Sequence, residues 1–276
     1  MKRILLIVSC FSLLGVGIED LIAMSSSCTE ETTATTQAEL PLFKSYKIES
    51  VDQLNEFMGR TSPQQLNKLD IHLADIVAKE HIKNAITEIL DKCDSTLKML
   101  DIGGNFLDAF LNTFKLERFK ELNSLNLRGN QGIFIGNWLG QLTKLEYLNL
   151  RNTKLSQIPR GLENLQNLKY LNLSHNKLTD LSGDVIEKLS ALEELNLSDN
   201  ANLKLPIEAL SRLHHLKVIR LFKTGIKEED LPENIRRIAN FEEQDSSVTM
   251  TPIDLEDICS EAPVYERDEY GDLYEI

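Results

Sequence analysis

The sequence has few cysteines that could stabilise a small secreted domain through disulfide bonds. It also has few long apolar runs that could cross a membrane. Its 276 residues include only four cysteines, Cys10, Cys28, Cys93 and Cys259. These are far apart in the chain, so no disulfide framework is expected. Aromatic residues make up 6% of the chain, and beyond the N-terminus no apolar run is long enough for a membrane span. The core must therefore be built mainly from aliphatic side chains.

Sequence signatures of catalysis are also missing. The chain contains no G-x-S-x-G motif, no glycine loop of the phosphate-binding type and no H-E-x-x-H motif. Its five histidines do not pair with cysteines or carboxylates at metal-ligand spacing. We therefore expect no enzymatic activity, no metal and no cofactor.

Negative charge is concentrated near the C-terminus. The formal net charge of the chain is −13. Residues 242–276 hold twelve acidic side chains against one basic residue, Arg267, so this tail carries −11. The rest of the chain is nearly neutral and has no basic stripe, so binding of nucleic acid is not expected. A block of like charges is typical of a disordered, solvated tail.

One nine-residue pattern, L-x-x-L-x-L-x-x-N, recurs every 23–25 residues. Its six copies begin at Leu97, Leu122, Leu145, Leu168, Leu192 and Leu216. The sequence resembles leucine-rich repeat proteins of the type with repeats of 23–24 residues. The resemblance implies an α/β fold, a leucine-rich repeat solenoid with a parallel β-sheet on its concave face. The six repeats are expected to span residues 97–241.

A degenerate seventh copy precedes these repeats. Residues 66–74 fit the pattern with Ala74 in the last position, and apolar residues then recur at helical spacing from Ile82 to Leu90. Further upstream, Ser50 and Gln53 have the spacing of a helix capping box. Terminal repeats must close the open end of the core and are usually atypical. We therefore expect residues 45–96 to form a helical N-terminal cap.

The ninth position of each repeat holds asparagine or threonine. An asparagine side chain offers both donors and an acceptor, so it can satisfy the backbone of a buried turn. We therefore expect a structural role for this position. The residues are Asn105, Asn130, Thr153, Asn176, Asn200 and Thr224.

Residues between the leucines are expected to line the concave sheet face. Tyr147 and Tyr170 occupy equivalent positions in neighbouring repeats and form an expected exposed aromatic pair, and Arg128 and Arg151 form a second pair. Aromatic residues and arginine are enriched in interface hot spots. Repeat duplication and the tolerance of strands for tyrosine explain the pairs equally well. The candidate partner-binding residues are Arg128, Tyr147, Arg151, Tyr170, His175, Glu194, Arg220 and Phe222.

Membership of this family implies binding of a partner protein. The repeats also resemble the recognition half of bacterial leucine-rich repeat ubiquitin ligases, in which a catalytic domain follows the repeats. Here only the acidic residues 242–276 follow, and Cys259 has no folded context. Three hypotheses stay open: a protein-binding module, an adaptor that recruits a second protein through a modified tail, and the recognition part of an enzyme with catalysis supplied elsewhere.

The N-terminus has the features of a secretory signal over residues 1–25. Lys2 and Arg3 precede an apolar stretch, Ile4–Gly17, and Ala23–Ser25 supplies small residues for cleavage. The cysteine clusters that cap many animal extracellular repeat proteins are missing, which favours a bacterial or other non-animal type. We expect an exported protein, secreted or at the cell surface, with a host protein among its candidate partners.

A polar linker is expected after the signal. Residues 26–44 begin with a stretch rich in Ser, Thr, Glu and Ala, a composition typical of disorder. Cys28 resembles the lipidated cysteine of bacterial lipoproteins, although Ser25 stands where such signals carry leucine. A lipid anchor at Cys28 and an unmodified thiol are the two alternatives.

Three tyrosines lie among acidic residues in the tail: Tyr265, Tyr270 and Tyr274. Acidic flanks are typical of tyrosine kinase substrates, and a phosphotyrosine could dock an arginine-bearing pocket. The segment Glu261–Glu266 resembles the Glu-Pro-Ile-Tyr-Ala motifs of translocated bacterial effectors, with Ala262 altering the spacing. The alternatives are tyrosine sulfation, a purely solubilising tail, and a tail that folds onto the arginines of its own chain.

Overall fold

The computed structural model of the chain describes residues 45–59, 66–73, 79–93, 95–105, 107, 114–133, 135–243, 265–267 and 273–275. The expected signal peptide, the linker with Cys28, and Tyr270 of the tail lie outside these residues. Among the described helices, none combines the length and the hydrophobicity that crossing a membrane requires.

A parallel sheet of nine strands, arranged side by side in chain order, forms the framework. This confirms the predicted α/β repeat solenoid. The strands are β1 Ser45–Ile48, β2 Lys68–Ile71, β3 Met99–Asp101, β4 Ser124–Asn126, β5 Tyr147–Asn149, β6 Tyr170–Asn172, β7 Glu194–Asn196, β8 Val218–Arg220 and β9 Ala239–Asn240. In the tail, β10 (Tyr265–Arg267) pairs with β11 (Leu273–Glu275) in antiparallel orientation.

The repeat pattern sets the register of the sheet. Leu125, Leu148 and Leu171 lie opposite one another in β4, β5 and β6, and all three are fully buried. Successive strand residues point to opposite faces, so the residues on either side of each central leucine point away from the core. The buried side chains join into one hydrophobic core that extends from Ile48 to Ile235.

Two helices close the N-terminal end: α1 Val51–Gly59 and α2 Lys79–Asp91. Both residues of the predicted capping box form hydrogen bonds at the start of α1, but the Gln53 side chain reaches the N–H of Glu49 in place of that of Ser50. The Ser50 hydroxyl oxygen accepts a hydrogen bond from the backbone N–H of Gln53 at 3.3 Å, and the Gln53 side-chain oxygen accepts one from the N–H of Glu49 at 2.8 Å. Helix α2 buries its predicted apolar face, including Ile82 and Ile86.

Strand β1 was not predicted. It pairs with β2 in the register of a repeat, with Tyr46 opposite Leu69 and Ile48 opposite Ile71. Strand β2 in turn pairs with β3 as the degenerate seventh copy predicts. The N-terminal cap therefore contains two strands of the main sheet in addition to its helices.

The second half of each repeat returns across the core through short helical segments. These are the 3₁₀ turns Leu116–Arg118, Asn137–Gln141, Leu162–Asn164 and Glu228–Asp230, and the α-helices α3 Gly183–Ile186, α4 Ile207–Ser211 and α5 Glu233–Arg236. Such short helices cannot fold alone. Their stability comes from apolar residues such as Leu162, Ile186 and Leu210, which are buried in the core.

The ninth-position asparagines form the predicted internal ladder. Asn200 is fully buried. Its side-chain N–H groups donate to the carbonyls of Leu173 at 2.9 Å and Leu197 at 2.8 Å, and its oxygen accepts from the N–H of Leu178 at 3.0 Å. One side chain thus joins the backbones of two repeats. The Thr224 hydroxyl bonds only within its own repeat among the described residues: it donates to the carbonyl of Leu221 at 2.7 Å and accepts from the N–H of Ile226 at 3.4 Å.

Candidate functional site

Two residues of each strand define what we call the outer sheet face: those immediately before and after the central buried residue. Tyr147, Tyr170 and Glu194 lie opposite one another in the first of these rows. Arg220 lies opposite Asn196 in the second row. Four of the eight predicted binding residues therefore share this face.

The two tyrosines differ in their exposure. Their ring centroids are 6.5 Å apart, with 42° between the ring planes. Tyr147 is only 7% exposed, whereas Tyr170 is half-buried. Asn149 donates a hydrogen bond to the Tyr147 hydroxyl at 3.3 Å, and burial raises the pKa of Tyr147 to about 12. The expectation of an exposed aromatic pair is therefore wrong for Tyr147, because its neighbours cover its ring.

A second set of asparagines, at the end of the strands, positions the residues that follow. The Asn149 side-chain oxygen accepts a hydrogen bond from the backbone N–H of Arg151 at 3.0 Å, and Asn126 accepts one from Arg128 at 3.1 Å. An asparagine that bonds the backbone two residues ahead forms a local turn. These bonds end the strands and hold both arginines at one edge of the outer face. We call this edge, formed by the residues two and three places past each strand, the C-terminal edge.

Arg128 and Arg151 are adjacent on the C-terminal edge. Gly129, next to Arg128, donates its N–H to the carbonyl of Arg151 at 2.8 Å. Arg128 is exposed and Arg151 is half-buried. Burial lowers the pKa of Arg151, and the positive charge of Arg128 lowers it further. Neither guanidinium forms an ion pair with a carboxylate in the described part of the chain.

His175 lies on the same edge in the next repeat, with a left-handed backbone (φ 54°). Its Nε2 is 3.1 Å from Oδ2 of Asp199, and Lys223 Nζ is 4.0 Å from Oδ1 of the same carboxylate. Burial and the charge of Arg151 lower the pKa of His175, and Asp199 opposes this change. Sequence reasoning did not select Asp199 and Lys223, although both share the repeat position of His175.

The remaining candidate binding residues are Glu194, Arg220 and Phe222. Each interacts with another of these residues or with a neighbouring residue. A guanidinium nitrogen of Arg220 is 3.4 Å from a carboxylate oxygen of Glu194, with 16% and 25% of the two side chains exposed. Phe222 is half-buried, and the ammonium group of Lys223 lies 4.7 Å from the centre of its ring. This end of the outer face is therefore close to neutral, in contrast to the arginine pair.

The candidate modification sites are Tyr265, Tyr270, Tyr274 and Cys28, and the structure describes only two of them. Tyr265 and Tyr274 lie in β10 and β11, opposite Glu275 and Glu266 respectively. Tyr270 and Cys28 lie outside the described residues. Within the described ranges, no group of three or more His, Cys, Asp or Glu side chains could hold a metal ion.

Comparison with known proteins places these repeats in context. A family model described as leucine rich repeat matches residues 143–201, and no curated protein matches the sequence. The TLR13 chain of a complex with ssRNA13 is 25% identical, over 59% of this chain and 22% of that chain, with a TM-score of 0.45. The plant peptide hormone receptor RGFR1, solved with RGF2, is 25% identical over 53% of this chain and 24% of that one, with a TM-score of 0.44.

An internalin (inlF) from Listeria monocytogenes is 22% identical, over 72% of this chain and 59% of that chain, with a TM-score of 0.47. The matched part therefore spans less than a quarter of the first two structures and about three fifths of the internalin. The family model matches the repeats of β5 to β7, and the first two of these carry the tyrosine pair.

Proposed function

We propose that this chain, a leucine-rich repeat protein, binds a partner protein through its outer sheet face, with Tyr170 and the arginine pair at the centre of the contact. The observation that carries the proposal is that one face of the sheet and its edge carry a half-buried tyrosine and two adjacent arginines without an ion pair to any described carboxylate. Two like charges held side by side without an ion-pair partner in the described part of the chain do not stabilise the fold. The same residue types dominate the energetics of protein interfaces.

The arrangement also assigns roles within the surface. Tyr147 supports the ring of Tyr170 from the neighbouring strand, so that Tyr170 presents a preorganised contact surface. Arg128 and Arg151 stand to one side and supply charge-assisted hydrogen bonds. Glu194 and Arg220 already form an ion pair with each other, so they contribute to the shape of the contact surface more than to its charge.

We further propose that the protein is exported from a bacterium and acts outside the cell or at its surface, with a host protein among its candidate partners. This rests on the basic and apolar pattern of residues 1–25, which lie outside the described residues. Mass spectrometry of the mature N-terminus tests it. A new terminus near Ser25 or a lipid on Cys28 supports export, and an intact N-terminus contradicts it.

A second candidate function is an adaptor that works through its tail. The observation that favours it is the pairing of β10 with β11, which sets Tyr265 and Tyr274 beside Glu275 and Glu266. Replacing both tyrosines with phenylalanine should then abolish recruitment of the second protein. Unchanged recruitment would exclude this function.

Affinity capture tests the main proposal. The full chain, its Tyr170→Glu variant and a His215→Glu control should be compared as baits, with quantitative mass spectrometry of the bound proteins. His215 is exposed and precedes β8 in a return segment, so the control adds the same charge away from the outer face. A partner retained by the control and lost by Tyr170→Glu supports the proposal. Equal capture by all three baits would overturn it.

A further inference from the structure

We propose that four cations at the ends of β4 to β6 bind a short acidic segment of the partner protein through its carboxylates. We call them the basic cluster: Arg128, Arg151, Lys154 and Lys177. This inference rests on the proposed function, because it names the chemistry that the partner presents at the edge of the outer sheet face. The two lysines extend the arginine pair and were not among the predicted binding residues.

The parallel sheet brings these four side chains together, because segments that follow parallel strands lie at the same end of the sheet. The arginines stand two residues past β4 and β5, and the lysines stand five residues past β5 and β6. The backbone N–H of Lys177 donates to the carbonyl of Leu155, next to Lys154, at 2.7 Å. Neighbouring repeats therefore present an arginine pair and a lysine pair at one end of the sheet.

The first support is that the charge of the cluster is not balanced by ion pairs. At the other end of the strands, lysines pair with glutamates of the preceding repeat, as in Lys144–Glu121, Lys169–Glu146 and Lys217–Glu193. None of the four cluster residues forms such a pair within the described ranges. The carboxylate of Asp199, on the same edge, is already paired with His175 at 3.1 Å. The cluster is therefore complementary to an anionic partner.

The second support is access to the charged groups. Arg128, Lys154 and Lys177 are exposed, and Arg151 is half-buried. The repeat before Arg128 has Gly103 and Gly104 two and three residues past its strand, so it places no side chain beside Arg128 at these positions. A guanidinium binds a carboxylate through two parallel hydrogen bonds. A partner segment can therefore reach the cluster from solvent.

The third support is the backbone of Lys154, whose φ of 60° is uncommon for lysine. The equivalent residue in the repeat of β8 is Gly225, with φ 80°. The buried Asn176 fixes the turn: its side-chain oxygen accepts hydrogen bonds from the N–H groups of Thr153 at 3.1 Å and Leu155 at 2.9 Å. Glycine would adopt this φ at lower cost. Folding therefore does not account for a lysine here, and such a backbone outlier supports a functional role.

The size of the cluster suits a short peptide. Three neighbouring strands span about 10 Å, which an extended peptide covers with about three residues. Nucleic acid takes its affinity from many phosphate contacts and would use a longer basic surface. The net charge of −13 would also repel a long polyanion. An acidic stretch of a few residues therefore fits the cluster better than nucleic acid does.

A simple acidic peptide tests the proposal. The probe is fluorescein-labelled hexaglutamate, titrated with the full chain in a low-salt buffer and followed by fluorescence anisotropy, with labelled hexaglutamine as the neutral control. We expect hexaglutamate to bind, hexaglutamine not to bind, and added sodium chloride to weaken binding because it screens exposed charges. Absence of hexaglutamate binding, or equal binding of both peptides, would overturn the proposal.

Matched lysine pairs locate the bound probe. Lys154→Gln together with Lys177→Gln should weaken binding by about fivefold or more, because two exposed ion pairs with the probe are lost. Lys144→Gln together with Lys169→Gln removes the same charge from adjacent repeats at the other end of the strands, and should leave the affinity nearly unchanged. Equal weakening by the two pairs would show that net charge alone governs binding, which would overturn the proposal.

The strained lysine separates binding from folding. Lys154→Gly should melt no earlier than the unchanged protein, because glycine relaxes the positive φ, and should still bind hexaglutamate more weakly. Unchanged affinity of this variant would overturn the proposal. Tighter, cluster-dependent binding of labelled octathymidylate than of hexaglutamate would overturn it as well, by identifying nucleic acid as the occupant.

Failure of this inference and failure of the proposed function give different results. Capture that depends on Tyr170, without binding of hexaglutamate, would reject the acidic segment and leave the proposed function standing. Cluster-dependent binding of hexaglutamate, with equal capture by the Tyr170→Glu bait, would instead reject the proposed contact at Tyr170.

Discussion

Tyr147 and Tyr170 lie opposite each other on neighbouring strands, with ring centroids 6.5 Å apart, yet only Tyr170 presents part of its ring to solvent. Tyr147 is covered and holds a hydrogen bond from Asn149. Tyr147 is therefore a buried residue that packs against its neighbour, and Tyr170 is the residue available for contact with a partner. The two tyrosines should therefore respond differently to substitution.

We expect Tyr147→Ala to lower the free energy of unfolding by about 2–4 kcal/mol, because it removes a buried ring and leaves a cavity. Tyr170→Ala should cost about 1 kcal/mol or less, as surface substitutions usually do. Urea unfolding followed by circular dichroism measures both values. Equal costs for the two variants would contradict the difference in burial.

Close packing between two return segments predicts a strong effect at a glycine. A Cβ atom on Gly161, whose φ is +91°, would lie 2.5 Å from the backbone nitrogen of Gly140. We expect Gly161→Ala to cost about 3–5 kcal/mol, from the left-handed backbone together with the clash. Gly132 also has a positive φ but nothing within 4 Å of its Cβ position, so Gly132→Ala should cost about 1–2 kcal/mol. Similar unfolding midpoints for the two variants would show that the backbones are not in close contact.

The asparagine ladder predicts that one side chain stabilises two repeats. Asn200→Ala removes the acceptor of the buried Leu178 N–H and donors to two carbonyls, so it should cost about 2–4 kcal/mol. Asn167 is exposed and makes a single bond, to the carbonyl of Thr143 at 2.8 Å. Its replacement by alanine should cost less than about 1 kcal/mol. Chemical unfolding compares the two, and a mild effect at Asn200 would exclude the ladder as a major source of stability.

His175 should titrate below its ordinary pKa of 6.5. Because the folded state disfavours its protonation, the contribution of His175 to stability is fully present above pH 6.5 and is lost as the pH falls through the lowered pKa. Nuclear magnetic resonance titration of the imidazole protons measures this value. Arg151→Gln should raise the pKa by removing a nearby positive charge, and Asp199→Asn should lower it further. Shifts in the same direction would contradict the assigned neighbours.

The fold was largely predictable because the repeat pattern records which side chains are buried. The leucine positions predicted β2 to β8 and their register, and the ninth-position asparagines predicted the internal ladder. Strands β1 and β9 could not be predicted from the repeat pattern because they lack the leucines that define it. Phe43, Tyr46 and Ile48 stand 23 residues before Leu66, Leu69 and Ile71, and this spacing was the available signal for β1.

The outer face was predictable in position but not in detail. The pattern placed Tyr147 on this face, yet its burial depends on how the neighbouring side chains fold over it. The ion pair between Glu194 and Arg220 joins different positions of adjacent repeats, so it depends on side-chain conformation. The Asn149 turn that fixes Arg151 likewise requires coordinates.

Site-specific crosslinking tests the central claim most directly. A photoreactive phenylalanine analogue at Tyr170 of the full chain should crosslink to a captured partner protein, whereas the same analogue at Arg160, outside the sheet, should not. Mass spectrometry identifies the joined residues. Crosslinks to one partner from Tyr170 alone are the predicted result. Crosslinks to that partner from Arg160 but not from Tyr170 would contradict binding through the outer sheet face.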